Sequence, residues 1–384
     1  MDMFEPQVHP NDFLYPGGPP IPPYDSAGWT LALQMGIEFD SIREGFDGPF
    51  VAVDALLPPP PGAIAGYGKP AGYLNSHRSN DSFVAINRLL KADCPVYWLA
   101  EGRSADGEDL GTGAIWVPAS PGARAILERV AGRYGIRVHA VAKAPAGQAL
   151  KLKPIRIGLY DQYGGLIASG WDRWLFERYE FPFQVVYPRT LDAGDLKDRF
   201  DVLVFPGVAP PDAAQPAPDT IPEKYRPWLG HITQEKTLPQ LRKFIEAGGA
   251  IVSVGRSATR MADWLDIPVE KYITAPRDKY YIPGSLLKVN VDNNNPLAYG
   301  MPEEAIVFFD NSPVFKLRPN APLRGVSAVA WFTGAKPLVS GWAWGQQYLD
   351  GGTAVAEASL GRGKLFLLGP EVTFRGQSHG TFKL

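Results

Sequence analysis

The chain has 384 residues, enough for two or three domains with ordinary cores. Hydrophobic residues at 45% and charged residues at 20% fit a soluble globular protein, and a formal net charge of −2 gives no basic excess for a nucleic-acid partner. A single cysteine, Cys94, excludes an internal disulfide and a cysteine-rich zinc site, and it leaves the redox compartment unread.

Residues 1–50 read as a Pro/Gly-rich connector. The opening MDMFEPQVHPNDFLYPGGPPIPPYD has neither the basic n-region nor the apolar h-region of a secretion signal. No apolar run approaches the roughly 18 residues needed to span a bilayer, so no membrane partner is expected. The 38 prolines, about twice average usage, cluster in linkers and mark boundaries. Trp29–Phe39 is expected to add a helical turn and a strand, and PFVAVDALL reads as a strand halted at Pro58–Pro61.

Residues 51–150 read as a small α/β domain. GYLN, VYWLA, GAIWVPA and RVHAVA are its strands. Asn80 or Asp81 is expected to cap a helix with Phe83, Ile86 and Leu90 on one face, and Ala123–Tyr134 carries an Ile126, Leu127, Val130, Tyr134 stripe. Cys94, between a helix and a strand, reads as a buried bystander. Lys143–Lys153, with Pro145 and Gly147, reads as an interdomain linker.

Residues 154–384 alternate strand and helix, which predicts a doubly wound, mostly parallel sheet. IRIGLYD has no polar alternation until its end, as in strands covered on both faces. A turn, YGGLIASG, leads to a helix bearing Trp171, Trp174, Leu175 and Tyr179. FQVVYP, a helix Ala193–Arg199, DVLVFPG and a long loop 208–236 follow. Beyond Ile282 the pattern becomes strand-rich: SLLKVNV, AIVFFD, AVAWF, TAVAEASL and GKLFLLG.

Residues 238–265, LPQLRKFIEAGGAIVSVGRSATRMADWL, read as helix, Gly turn, apolar strand, sharp turn and helix. The arrangement resembles the elbow on which class I glutamine amidotransferases present a nucleophilic cysteine. Here the turn offers Gly255, Arg256 and Ser257. The family's His-Pro-Glu on a late strand is matched by Gly369-Pro370-Glu371, so of the triad only Glu371 remains, and acyl transfer is not expected. Ser257 reads as the N-cap of helix 258–265, the rival reading being a nucleophile with His379 as base. Ligands of open α/β sheets gather at the strand carboxyl ends, so Tyr160, Asp161, Gly207, Arg256 and Glu371 would line any pocket there. Arg256 could hold an anion. The five histidines form no H-x-x-E or H-E-x-x-H pattern, and no metal ligand is assigned. GWAWGQQYLDGG is the best candidate for an exposed aromatic surface, with packing against loop 208–236 the alternative.

Several phrases together resemble one family: GLYDQYGGLIASGWDRWLFERYEFPF, YYIPGSLLKVNVDNNNPLAYGMP, PLVSGWAWG, FRGQSHGTFKL and, nearer the start, YDSAGWTLALQMGIEFDSI and NSHRSNDSFVAINRLLKA. They are similar to the C-terminal region of large bacterial secreted zinc carboxypeptidase-like proteins of the carboxypeptidase A type, where a class I glutamine amidotransferase-like domain follows the peptidase. The resemblance implies a non-catalytic accessory region, a fragment or a split gene, with zinc expected only in a peptidase domain outside this chain. It implies that domain as a partner, in cis or in trans, and peptide as a possible substrate; the parent family is secreted or periplasmic. The alternative is a free-standing hydrolase or ligand-binding protein using the strand-end pocket around Ser257.

Overall fold

The computed structural model describes residues 3–42, 44–66, 68–207 and 214–384, so part of the loop expected at 208–236 lies outside the described residues. The Pro-rich N-terminus runs as a strap over the C-terminal domain. The Gln7 N–H donates to Ser340 Oγ at 2.9 Å and the indole N–H of Trp342 donates to Asn11 Oδ1 at 2.8 Å. One short helix, α1 (Leu31–Met35), ends at Gly36, whose φ of 65° suits a left-handed cap. The strand expected at PFVAVDALL does not form: residues 49–57 are irregular and exposed. Such a run adopts strand geometry only with a neighbour to complete its ladder.

The smaller unit contains β1 (Ile64–Ala65), β2 (Gly72–Asn75), α2 (Ser82–Lys91), β3 (Tyr97–Leu99), β4 (Arg103–Ala105), β5 (Glu108–Gly111), β6 (Ile115–Pro118), α3 (Pro121–Tyr134), β7 (Val138–Val141) and β8 (Ala149–Lys151). Its main sheet runs β1-β7-β2-β6-β3-β8, antiparallel except for the β1–β7 pair. The β8 strand comes from the stretch expected to be a linker; it pairs with β3, so the sheet continues past residue 142. The β4–β5 ribbon turns at Asp106-Gly107, an Asp-Gly pair of the kind that signals a hairpin and that no expected element covered. Ser120 caps α3 by accepting from the Ala123 N–H at 3.0 Å. Asp81 makes no side-chain cap to α2; Asn80 instead donates through Nδ2 to the His379 carbonyl and accepts from Lys383 Nζ. Cys94 is half-exposed at the end of α2.

The larger unit starts with β9 (Ile157–Tyr160), α4 (Ile167–Arg178), β10 (Phe183–Val186), α5 (Pro188–Asp192), α6 (Leu196–Arg199), β11 (Val202–Phe205), α7 (Thr237–Glu246), β12 (Ala250–Val254) and α8 (Arg256–Trp264). The helix expected at 193–199 is interrupted because Gly194 and Asp195 take φ of 78° and 50°. After α8 come β13 (Val269–Lys271), β14 (Ser285–Val291), β15 (Glu304–Phe309), β16 (Phe315–Leu317), β17 (Val326–Trp331), β18 (Leu338–Ser340), β19 (Thr353–Leu360) and β20 (Gly363–Leu368).

The main path of this sheet is β10-β9-β11-β12-β20-β19-β17-β14-β15. Its first five strands are parallel and form a doubly wound α/β core. Taken in chain order they lie 2-1-3-4-5, with the topological switch between β9 and β11. The strand-rich C-terminal third adds β19, β17, β14 and β15 through antiparallel pairings. The β19–β20 hairpin needs no crossover helix, so the strand direction reverses there. Phe200, Phe205, Leu241, Phe244 and Leu365 are buried in one cluster beneath the helices, each such side chain contributing about 1.5–3 kcal/mol. Val84 of α2 packs with Leu175 of α4 and with Tyr179 just beyond it, and the Asn87 amide donates to the Tyr179 carbonyl at 2.8 Å, tying the two units together. Among the described residues no helix is long and apolar enough to cross a membrane.

Candidate functional site

Strand β12 ends at Gly255, where φ is 59° and ψ is −135°. Only glycine takes that conformation without strain. The Gly255 N–H donates to the Leu368 carbonyl at 2.8 Å, fixing the corner to β20. A nucleophile elbow places its reactive side chain at such a strand-to-helix corner. This corner carries no side chain, and a Cβ built on Gly255 would meet nothing within 4 Å. The place for a nucleophile exists and is open, and glycine stands in it.

Ser257, two residues on, faces inward. Its buried Oγ lies 2.7 Å from both the Phe205 and the Val254 carbonyls and accepts from the Val254 N–H at 3.1 Å. It therefore lies inside α8 rather than at its N-cap, because the helix begins at Arg256 and Gly255 takes the cap position. Its hydroxyl stitches the ends of β11 and β12 and is buried. Ser257→Ala is expected to lower stability by about 1–2 kcal/mol in urea unfolding, since the carbonyls share one lost donor and the Val254 N–H loses an acceptor, and to leave any ester hydrolysis unchanged.

Glu371 follows β20 and is half-buried. Burial and the nearby Asp310 push its carboxyl up, while Arg375 opposes them. Its charged neighbour across the packing is Asp172 of α4, only 3% exposed, whose carboxyl burial pushes up to about 7; a hydrogen bond from Thr373 opposes that shift and Glu371 adds to it. His379 lies elsewhere. Its ring sits 4.8 Å from Phe382, and it lines the crevice with Asn80 and Asp81 against the smaller unit. The structure does not bring Ser257 and His379 together.

The residues at the switch point, after β9 and β11, are packed into the fold. Tyr160 is buried and stacked on Phe205 at 5.3 Å. Asp161 closes the Gly-rich turn: its Oδ1 accepts from the N–H groups of Gln162 and Leu166 at 2.8 and 2.9 Å, and its Oδ2 pairs with Arg173. Gly207 lies against the Leu166 side chain. Of the ligand residues expected from sequence, only Arg256 reaches a sizeable cavity. That cavity, about 650 Å³, runs along one face of α8 toward segments 269–281 and 311–315. Lys271, Arg277 and Tyr280 join Arg256 there; they were missed because nothing in local spacing links residues on separate segments. Among the described residues no group of three histidine, cysteine or acidic side chains could hold a metal.

The aromatic segment GWAWGQQYLDGG packs against the N-terminal strap, and residues 208–213 of the loop expected to cover it lie outside the described residues. Trp342 is buried, and the Phe13 and Trp344 rings meet edge-on at 6.0 Å. Tyr348 alone of its three aromatic residues stays exposed.

The strand order and the sharp corner after the fourth parallel strand define the class: a doubly wound α/β domain. No family model and no curated protein matches the chain. Among solved structures it is similar to a ThuA-like protein of Bacteroides uniformis at 13% identity and TM-score 0.35, over 62% of this chain and 94% of that one. A glutamine amidotransferase of Thermotoga maritima aligns at 11% identity and TM-score 0.34, covering 57% of this chain and 76% of its own. A GMP synthase protein of Thermoplasma acidophilum aligns at 14% identity and TM-score 0.34, covering 59% of this chain and 91% of its own.

Proposed function

We propose that this chain is a non-catalytic accessory region of a zinc metallocarboxypeptidase-family protein, a module that binds and packs on an amidotransferase-like sheet without that sheet's chemistry. The observation that carries the non-catalytic part is Gly255, the glycine at the corner where an elbow enzyme needs its nucleophile. The sequence resemblance supplies the family: the partner would be a zinc carboxypeptidase domain, in cis or in trans, which would hold the zinc and act on peptide. Surface composition supports a covered face. Of the 24 large apolar side chains exposed among the described residues, 18 belong to residues 3–57, more than scattered exposure explains.

The test is a titration of the purified chain with zinc, a C-terminal peptide hydrolysis assay and a glutaminase assay, then gel filtration with a carboxypeptidase A-type peptidase domain. Expected are no stoichiometric zinc, no cleavage, no ammonia from glutamine and co-elution with the peptidase domain. One equivalent of tightly held zinc with peptidase activity overturns the reading.

The cavity along α8 favours a second reading, a free-standing ligand-binding protein. The burial of Ser257 favours the ligand-binding form of that alternative over the hydrolase form.

A further inference from the structure

The cavity along α8 has a chemical bias that the fold does not require. It is bordered by four cations and two carboxylates, and one carboxylate, Glu270, is already engaged by Arg318 Nε at 3.0 Å. Arg260 lies over the Trp264 ring and Arg277 over the Tyr281 ring. Among the described residues, Arg256, Lys271 and Arg277 have no carboxylate within ion-pair distance, although all three edge one concavity. Like charges held together around a walled space focus their field into it and attract an anion. The floor is different in kind: Ile273 and Val314 are buried and apolar. The volume is that of an ordinary small-molecule site.

We propose that this cavity binds a small amphiphilic anion, a carboxylate or phosphate on an apolar body, its charge met by Arg256, Lys271 and Arg277 and its body laid on Ile273 and Val314. The proposal deepens the ligand-binding reading and is independent of any peptidase partner. Failure here leaves the accessory role standing, and failure of the peptidase test leaves this site standing.

Calorimetry and thermal unfolding of the full chain test it with four probes: benzoate, phenyl phosphate, inorganic phosphate and the neutral benzamide. Benzoate or phenyl phosphate is expected to bind and raise the unfolding midpoint, the tighter of the two naming the anionic group. Inorganic phosphate, lacking the apolar body, should bind more weakly than phenyl phosphate, and benzamide should not bind. The double variant Arg256→Gln, Lys271→Gln should weaken the best probe by about tenfold or more. Wild-type affinity should also fall as salt rises, a readout that needs no variant. Benzamide binding as tightly as benzoate, affinity insensitive to salt, a double variant that binds like wild type, or no binding by any probe at millimolar concentration overturns the proposal.

Discussion

Arg173→Met is expected to destabilise the protein by about 3 kcal/mol, read as a lower urea midpoint at an unchanged slope. Asp161 is 4% exposed, and Arg173 is the charged group paired with its Oδ2. Removing one partner of a buried ion pair leaves the other charge uncompensated, which typically costs about 3–5 kcal/mol. Two features place this case at the low end: Arg173 is partly open to solvent, and Asp161 keeps the N–H groups of Gln162 and Leu166. Asp161→Asn, which removes the charge and keeps an acceptor, should cost less, about 1–2 kcal/mol. The pair discriminates two roles. If Asp161 were held for a ligand, Arg173→Met would leave stability within about 0.5 kcal/mol, as surface changes do.

Asp172→Asn is expected to expose a steep acid destabilisation that the wild type conceals. His77 is buried between the rings of Trp98 and Phe83, at 4.8 and 5.6 Å, and neither ring nitrogen has a hydrogen-bond partner. Burial, and secondarily the charge of Lys383, lower it from 6.5 to about 3. The folded value is depressed, so its contribution is intact above pH 6.5 and is lost as pH falls from 6.5 toward 3. The slope is at most about 1.4 kcal/mol per pH unit. Asp172 acts in the opposite direction. Raised from 3.8 to about 7, it contributes stability that is present below 3.8 and lost as pH rises through 7, and the upward shift of Glu371 has the same sign. Between about pH 4 and 6.5 the two slopes oppose, so the wild-type curve should be nearly flat. Without the Asp172 carboxyl, stability should drop from pH 6.5 to 4, and Asp172→Asn should be the more stable protein at pH 8. Urea unfolding across that range decides: parallel curves for wild type and variant would refute the linkage.

The second prediction concerns residues whose surroundings come from distant segments, which is also where the sequence stops being readable. Local pattern carried much. Unbroken apolar runs at Ile157–Tyr160 and Val202–Phe205 mark strands covered on both faces, since burial on both sides removes polar alternation. The stripe of α3 is legible because helical period is a property of neighbours three and four apart. The turn at Gly255-Arg256-Ser257 and its lack of a thiol are equally local, and they fix the absence of cysteine chemistry at that corner.

What local pattern does not carry is direction, register and convergence. Nothing in TAVAEASL or SLLKVNV says that these strands pair antiparallel; the partners across the sheet decide it. PFVAVDALL has strand composition and forms no strand, because no neighbour completes its ladder. Ser257 has the residue type and place of a nucleophile or a cap, and only the approach of the Phe205 carbonyl, 52 positions away, turns its hydroxyl inward. Arg256, Lys271, Arg277 and Tyr280 are unremarkable in sequence and become one cavity wall only when α8 packs beside the segment that follows β13. Short-range periodicity is written in the order of residues. The meeting of side chains from separate segments is set by packing, and it exists only in the folded chain.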